Sequence, residues 1–294
     1  MRTPSLTPLL GCVAALLLLA AGTASSRAAP LFAADGGGPN PNTNLLLLDP
    51  ATGAATIVGR VGFSVAGMAF DPQTGVLYAT TGGRGAGARQ LITINPTTGA
   101  GTVVGSLRLT TGGTLTDLAF APDGTLYGWG GVAAGSDLFR VDLTTGAATR
   151  IGESGEFLPG GGFAGNAAGQ FFVAGNSFGP LFSVDVRTGQ VTPGVTLSGG
   201  PAADIKALDF DENGVLYGVA YGGTTSDGYL VTIDPRTGEI TNRSVNPIPR
   251  LSAIAFQPAG VSVVPEPSTL ALVGTAAALL GLRWWKRRGC KGHE

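Results

Sequence analysis

The sequence predicts an all-β protein, a β-propeller of five four-stranded blades closed by strand exchange, followed by a single C-terminal transmembrane helix. Three observations carry this. A fifteen-residue unit recurs five times, a second hairpin-like unit falls between its copies, and the two ends of the repeat region supply complementary parts of one blade.

The first unit reads LLLLDPATGAATIVG from Leu45, LITINPTTGAGTVVG from Leu91, LFRVDLTTGAATRIG from Leu138, LFSVDVRTGQVTPGV from Leu181 and LVTIDPRTGEITNRS from Leu230. Its shared glycines, Gly53, Gly99, Gly146, Gly189 and Gly238, are spaced by 46, 47, 43 and 49 residues. A period of this size belongs to propeller blades or helical arrays. The local pattern decides between them. A short β-branched run ends in Asp or Asn, which can bond the backbone ahead, and Thr-Gly then supplies a turn before a second run. These are hairpins.

The second unit is MAFDPQTGVLYAT from Met68, LAFAPDGTLYGWG from Leu118, a weaker copy FAGNAAGQFFVAG from Phe163, and LDFDENGVLYGVA from Leu208. Phe70, Phe120 and Phe210 recur at the end of its first strand, and Tyr78, Tyr127 and Tyr217 in its second, with Phe172 in the weaker copy. Two hairpins per period make four strands in about 45 residues, one propeller blade. After the last full unit the chain offers one more first strand, LSAIAFQP from Leu251 to Pro258, which is what the incomplete N-terminal blade from Leu31 lacks. The repeats resemble bacterial secreted β-propeller repeats of the LVTIDPTTG type over about residues 31 to 260. That resemblance implies architecture rather than activity.

Composition narrows the function. Gly (49) and Pro (19) are abundant and charged residues only 13%, so Thr, Ser, Asn and glycine backbone must supply the surface. Residues 31–260 hold 11 Lys/Arg against 17 Asp/Glu with no cationic cluster, which argues against nucleic-acid binding. Both cysteines (Cys12, Cys290) and the one histidine (His293) lie outside this stretch. Ser-His-Asp and Cys-His catalysis and His or Cys zinc sites are thereby excluded from the repeat body, and no cofactor or metal is expected.

The two ends read as addresses. Arg2 and the apolar run LLGCVAALLLLAAG from Leu9, followed by small residues, form a secretory signal peptide over residues 1–29, which implies the Sec translocon as a partner. At the other end, residues 261–294 place Pro265-Glu266-Pro267 before an uncharged stretch, Ser268 to Leu282, with Trp284 and Trp285 where an aromatic belt would sit. Fifteen apolar residues are short for a bilayer span, and the tryptophans with a snorkelling Arg283 extend the reach. Arg283, Lys286, Arg287 and Arg288 then act as a stop-transfer cluster that leaves the C-terminus in the cytoplasm.

The segment VPEPSTLALVGTAAALLGLRWWKRR closely resembles the PEP-CTERM sorting signal of Gram-negative bacteria. The resemblance implies recognition of Pro265, Glu266 and Pro267 by an exosortase, an integral-membrane cysteine peptidase. It also implies a transient inner-membrane anchor, then a place at the cell surface or outside the cell, in association with exopolysaccharide and biofilm matrix. Physically, two prolines hold the triplet extended and outside the helix, where a protease can bind it.

Candidate sites in the body are sparse. Trp129 and Tyr221, near the ends of second strands, are candidates for a sugar-stacking rim. DFDENG (Asp209, Asp211, Asn213, Gly214) opens like a calcium loop, but Ala220 stands where a bidentate Glu is needed, so a turn is expected. GGRGAGAR around Arg84 and Arg89 has no helix to follow it and reads as an exposed loop, not a phosphate cradle. Two functions remain. One is a non-enzymatic propeller scaffold presenting a rim to extracellular polysaccharide or surface proteins. The other is a carboxylate-dependent glycosidase. For the latter, Asp117 and Asp209 lie in channel-lining first strands, with Gly67, Gly162 and Ala253 as their counterparts elsewhere.

Overall fold

The computed structural model describes residues 29–260, apart from 37–42, 84–86, 110–112, 133–134, 159–160, 176–177, 201–202, 223–227 and 245–249. The signal-peptide reading, the Pro-Glu-Pro triplet, the apolar stretch and the basic cluster therefore lie outside the described residues. Within them every regular element is a strand.

The strands form five antiparallel four-stranded sheets. The N-terminal blade supplies β1 (Leu31–Asp35), β2 (Asn44–Leu48) and β3 (Ala55–Arg60). The second blade is β4 (Val65–Phe70), β5 (Leu77–Thr81), β6 (Gln90–Ile94) and β7 (Gly101–Ser106). The third is β8 (Thr114–Phe120), β9 (Leu126–Val132), β10 (Gly135–Val141) and β11 (Ala148–Glu153). The fourth is β12 (Gly162–Gly165), β13 (Phe171–Ala174), β14 (Pro180–Val184) and β15 (Val191–Thr196). The fifth is β16 (Ala203–Phe210), β17 (Leu216–Gly222), β18 (Gly228–Ile233) and β19 (Ile240–Asn242). The last strand, β20 (Leu251–Phe256), returns to the N-terminal blade and pairs with β1 from Leu31↔Phe256 to Asp35↔Leu251. Strand exchange closes the ring as the sequence predicts.

The innermost strands follow one another around the axis as β20, β4, β8, β12, β16 and back to β20. What joins one blade to the next is an aromatic pair at each junction. Around the ring these are Phe32–Phe70 (5.6 Å between ring centroids), Tyr78–Phe120 (5.8 Å), Tyr127–Phe171 (5.3 Å), Phe172–Phe210 (5.8 Å) and Tyr217–Phe256 (4.9 Å). The recurring Phe and Tyr of the second unit are thus the two halves of a contact between neighbouring blades. The weaker copy has Gly165 where the others have Phe. A side chain there would strike Phe171, whose ring, from the next strand, makes the missing contact.

The second glycine of the first repeat has an equally local cause. Gly59, Gly105 and Gly152, in outermost strands, each lie against the Thr-Gly turn of the following blade, and a Cβ would collide with the carbonyl of Thr98, Thr145 or Thr188. Inside each turn the leading Asp or Asn accepts backbone bonds. Asp142 Oδ1, for example, takes the Thr144 and Thr145 amides at 2.9 and 2.8 Å, and Gly146 closes the turn at φ 75°.

A chain ending at Arg250 leaves β1 without its inner neighbour and exposes the core around Leu251, Ile254 and Phe256, all buried in the closed ring. It should aggregate or melt on the order of 10 °C or more below a chain ending at Val261. Thermal unfolding of the two checks this, and equal melting temperatures would refute closure by strand exchange.

Candidate functional site: the axial funnel

All five innermost strands run toward the same face, where their ends enclose a funnel of ≈ 330 Å³. Its wall is formed by Phe70, Phe120, Gly165, Phe210 and Phe256 with the residues that come after them, including Pro72, Asn166, Asp211 and Gln257. A wider, more polar cleft of ≈ 900 Å³ flanks it between blades four and five and shares Asn166 and Phe210 with it.

Beneath the funnel the axis is closed by small residues in two layers. Pairing with the second strands sets the levels: Phe70↔Leu77, Phe120↔Leu126, Phe210↔Leu216 and Phe256↔Leu31 are equivalent. Asp117 is level with Gly67, Gly162, Ala207 and Ala253. Asp209 stands two residues further along its strand, level with Ala69, Ala119, Ala164 and Ala255. This corrects the single set of counterparts expected from sequence. The two aspartates occupy different layers and are not alternatives at one position.

Asp117 is completely buried. Its Oδ2 accepts the amides of Phe163 (2.9 Å) in β12 and Leu208 (3.2 Å) in β16, and its Oδ1 accepts that of Leu118 (3.0 Å). One carboxyl group therefore ties three successive inner strands together. Room for it comes from Gly67 and Gly162, where added Cβ atoms would meet the backbones of Asp117 and Ala207. Burial pushes its pKa well above the usual carboxylate range, against the opposing pull of the three amides.

Asp209 repeats the device one junction on, with Oδ2 on the Phe256 amide at 2.7 Å and Oδ1 on that of Phe210 at 2.9 Å. It differs in lying partly exposed at the floor of the funnel. Burial raises its pKa to about 7, opposed by the amides and assisted by the Asp211 charge.

The other sequence candidates separate cleanly. Trp129 is not a rim residue. It is fully buried and stacks on Phe163 at 5.9 Å, because β9 turns it into the junction between blades three and four. Its Nε1 finds no hydrogen-bond partner among the described residues. Tyr221 lies in β17 opposite Asp204 and Gly228, and its side chain lies outside the described residues. Asp211 makes a turn, accepting the Asn213 and Val215 amides, and Ala220 is buried in β17, so the calcium-like motif is a hairpin. Arg89 leads directly into β6 and its Nε donates to the Gly113 carbonyl at 3.0 Å. The funnel itself escaped sequence reading. Its only trace was the set of strand ends AFDP, AFAP, AGNA, DFDE and AFQP, which converge once the ring closes.

The chain leaves the ring at this same face, since Gln257 and Ala259 are part of the funnel wall and the Gln257 amide donates to the Pro30 carbonyl at 2.9 Å. Beyond this exit, residues 263–288 match the PEP-CTERM protein-sorting motif. The chain carries a PEP-CTERM sorting signal. It marks an exported protein that is held by a C-terminal membrane anchor before cleavage and is processed by an exosortase, a membrane protein. Residues 31–165 match a repeat of unknown function (DUF6923). No curated protein matches the chain.

Among solved structures, a structural genomics protein of unknown function from Bacteroides thetaiotaomicron is 15% identical (TM-score 0.53), over 81% of this chain and 66% of its own. A chain of a nidogen/laminin complex is 13% identical (TM-score 0.52), over 78% and 98%. TolB from Acinetobacter baumannii is 17% identical (TM-score 0.45), over 74% and 52%. This chain thus spans about half the length of TolB and just under two thirds of the Bacteroides protein. At these identities the likeness extends to the fold alone.

Replacing Asp117 with alanine strands three buried amides, each at a cost of about 1–3 kcal/mol. Asp117→Ala should therefore melt on the order of 10 °C below the wild type, with Asp117→Asn between the two because it keeps an acceptor. Thermal unfolding decides this, and an Asp117→Ala chain as stable as the wild type would show that the carboxyl does not hold the axis.

Proposed function

We propose that the protein is a non-enzymatic binding scaffold of a Gram-negative cell surface or extracellular matrix. It is delivered by exosortase processing at Pro265-Glu266-Pro267 from an inner-membrane precursor whose C-terminus is cytoplasmic. Its propeller offers a rim to exopolysaccharide or surface proteins. The observation that favours a scaffold over an enzyme is the enclosure of Asp117. Glycoside cleavage by this route uses two carboxyl groups flanking the bond, and Asp117, bound to three amides and sealed from solvent, is spent on holding strands.

The glycosidase reading keeps one observation in its favour. Asp209 is partly exposed in the funnel, and its carboxyl is raised to about 7, as a proton donor would require. A panel of bacterial polysaccharides incubated with the released propeller separates the two readings. No turnover is expected, and turnover abolished by Asp209→Asn would reverse the assignment.

The delivery reading is tested by replacing Pro265, Glu266 and Pro267 with alanine. The change removes the extended conformation and the charge while leaving the anchor and the basic cluster intact. The variant should accumulate uncleaved in the membrane fraction, as should the wild type in cells lacking the exosortase. Immunoblots against the propeller measure both. Release of the variant at wild-type size and rate would leave the triplet as a mere linker.

A further inference from the structure

The two faces of the ring are unlike in construction and in charge. Antiparallel pairing sends every turn between first and second strands, and every turn between third and fourth strands, to the funnel face. These turns are nearly uniform: those from Asp49, Asp71, Asn95, Asp142, Asp185 and Asp234 are six residues each, and those from Ala121, Asn166 and Asp211 five. The connections on the opposite face vary from two residues between β9 and β10 to eight between β5 and β6.

Charge divides along the same line. The funnel-face turns carry nine carboxylates and two guanidiniums, Arg187 and Arg236. The described residues of the opposite connections carry four guanidiniums (Arg89, Arg108, Arg243, Arg250) and one carboxylate, Glu156. Hydrogen bonds within the turns hold the carboxyls of Asp123, Asp142, Asp185 and Asp234 below the usual range, so these anions are firm at neutral pH.

The chain leaves from the acidic face. From Gly260, the last described residue, to Pro265 the backbone spans at most ~18 Å even when fully extended. The face that bears the funnel is therefore kept beside the cleavage triplet for as long as the anchor holds. An anionic lipid surface is a poor neighbour for it, because like charges repel across the short gap. A protein with a cationic surface is a good one.

We infer that the acidic funnel face is the docking surface for the membrane peptidase that processes the precursor, and that the face of unequal loops is the one left free for other partners. This rests on the anchor reading of residues 263–288. The short tether sets the geometry, since the peptidase reaches Pro265-Glu266-Pro267 only by working against this face. A cationic surface on the peptidase would align the pair and speed encounter. After cleavage the same face is uncovered.

The absence of cysteine from residues 31–260 makes this measurable. In a Cys290→Ser background, single cysteines are placed on the funnel face (Ala51→Cys, Glu212→Cys) and on the opposite face (Glu156→Cys), all at exposed positions. Each is treated with a bulky membrane-impermeant maleimide in spheroplasts that hold the precursor with an inactive exosortase, or none. With the inactive enzyme present in excess, Ala51→Cys and Glu212→Cys should label several-fold more slowly than in its absence, while Glu156→Cys labels equally in both. Inserting ten Gly-Ser residues after Gly260 should relieve part of the shielding. Slow labelling that persists without the exosortase would assign the face to lipid and overturn the inference. Equal labelling of both faces in both strains would overturn it too. If no precursor is found in the membrane fraction, the anchor reading itself fails, a different result from either.

Discussion

Every blade of this ring depends on an aromatic pair that it shares with the next. No blade buries both of its own faces, so the stability of each sheet lies in contacts made by its neighbours. A Tyr or Phe from the second strand of one blade meets a Phe of the next at 4.9 to 5.8 Å, five times around the axis. Such pairs contribute about 0.5–1.5 kcal/mol each beyond the area they bury. The more important effect is geometric. Each pair bridges two neighbouring sheets, at separations that differ by less than 1 Å around the ring. Where Gly165 breaks the pattern, Phe171 restores the contact from a different strand.

Closing at five leaves little space at the centre. The inner strands approach so closely that glycine and alanine fill nearly all of both axial layers, and the two larger groups present are aspartates. Their oxygens accept amides of the adjacent strands, as a neutral side chain of that size could do only in part. Asp117 thereby becomes a structural residue. Asp209, one layer nearer the surface, makes the same kind of bond at the base of the funnel and is less completely enclosed. Sequence proximity to a channel made the pair look like catalytic candidates, and burial separates them.

Fold and destination are encoded in different parts of the chain. The repeats build a ring, and the sorting signal determines where the ring is delivered. The two meet at a single point, the end of β20, which closes the N-terminal blade and also leads into the tail. A closing strand at this position means that the ring is complete before the anchor begins. The processed protein therefore keeps its closure when the tail is removed.

The sequence by itself determined the blade count, the four-strand period, the closing strand and the sorting signal. These features are local. A hairpin is written in consecutive residues, Asp-x-x-Thr-Gly makes its turn wherever it occurs, and the Pro-Glu-Pro tail is a contiguous string. Only the tertiary structure decided what the recurring Phe and Tyr contact, why a second glycine comes after the Thr-Gly turn in three of the units, and which aspartate is sealed. It moved Trp129 from a supposed rim into a junction and assembled a funnel from five strand ends that are some 45 residues apart in the chain. The physical reason is that each of these depends on the distance between blades. That distance is set by packing around the closed ring, and no single repeat contains it.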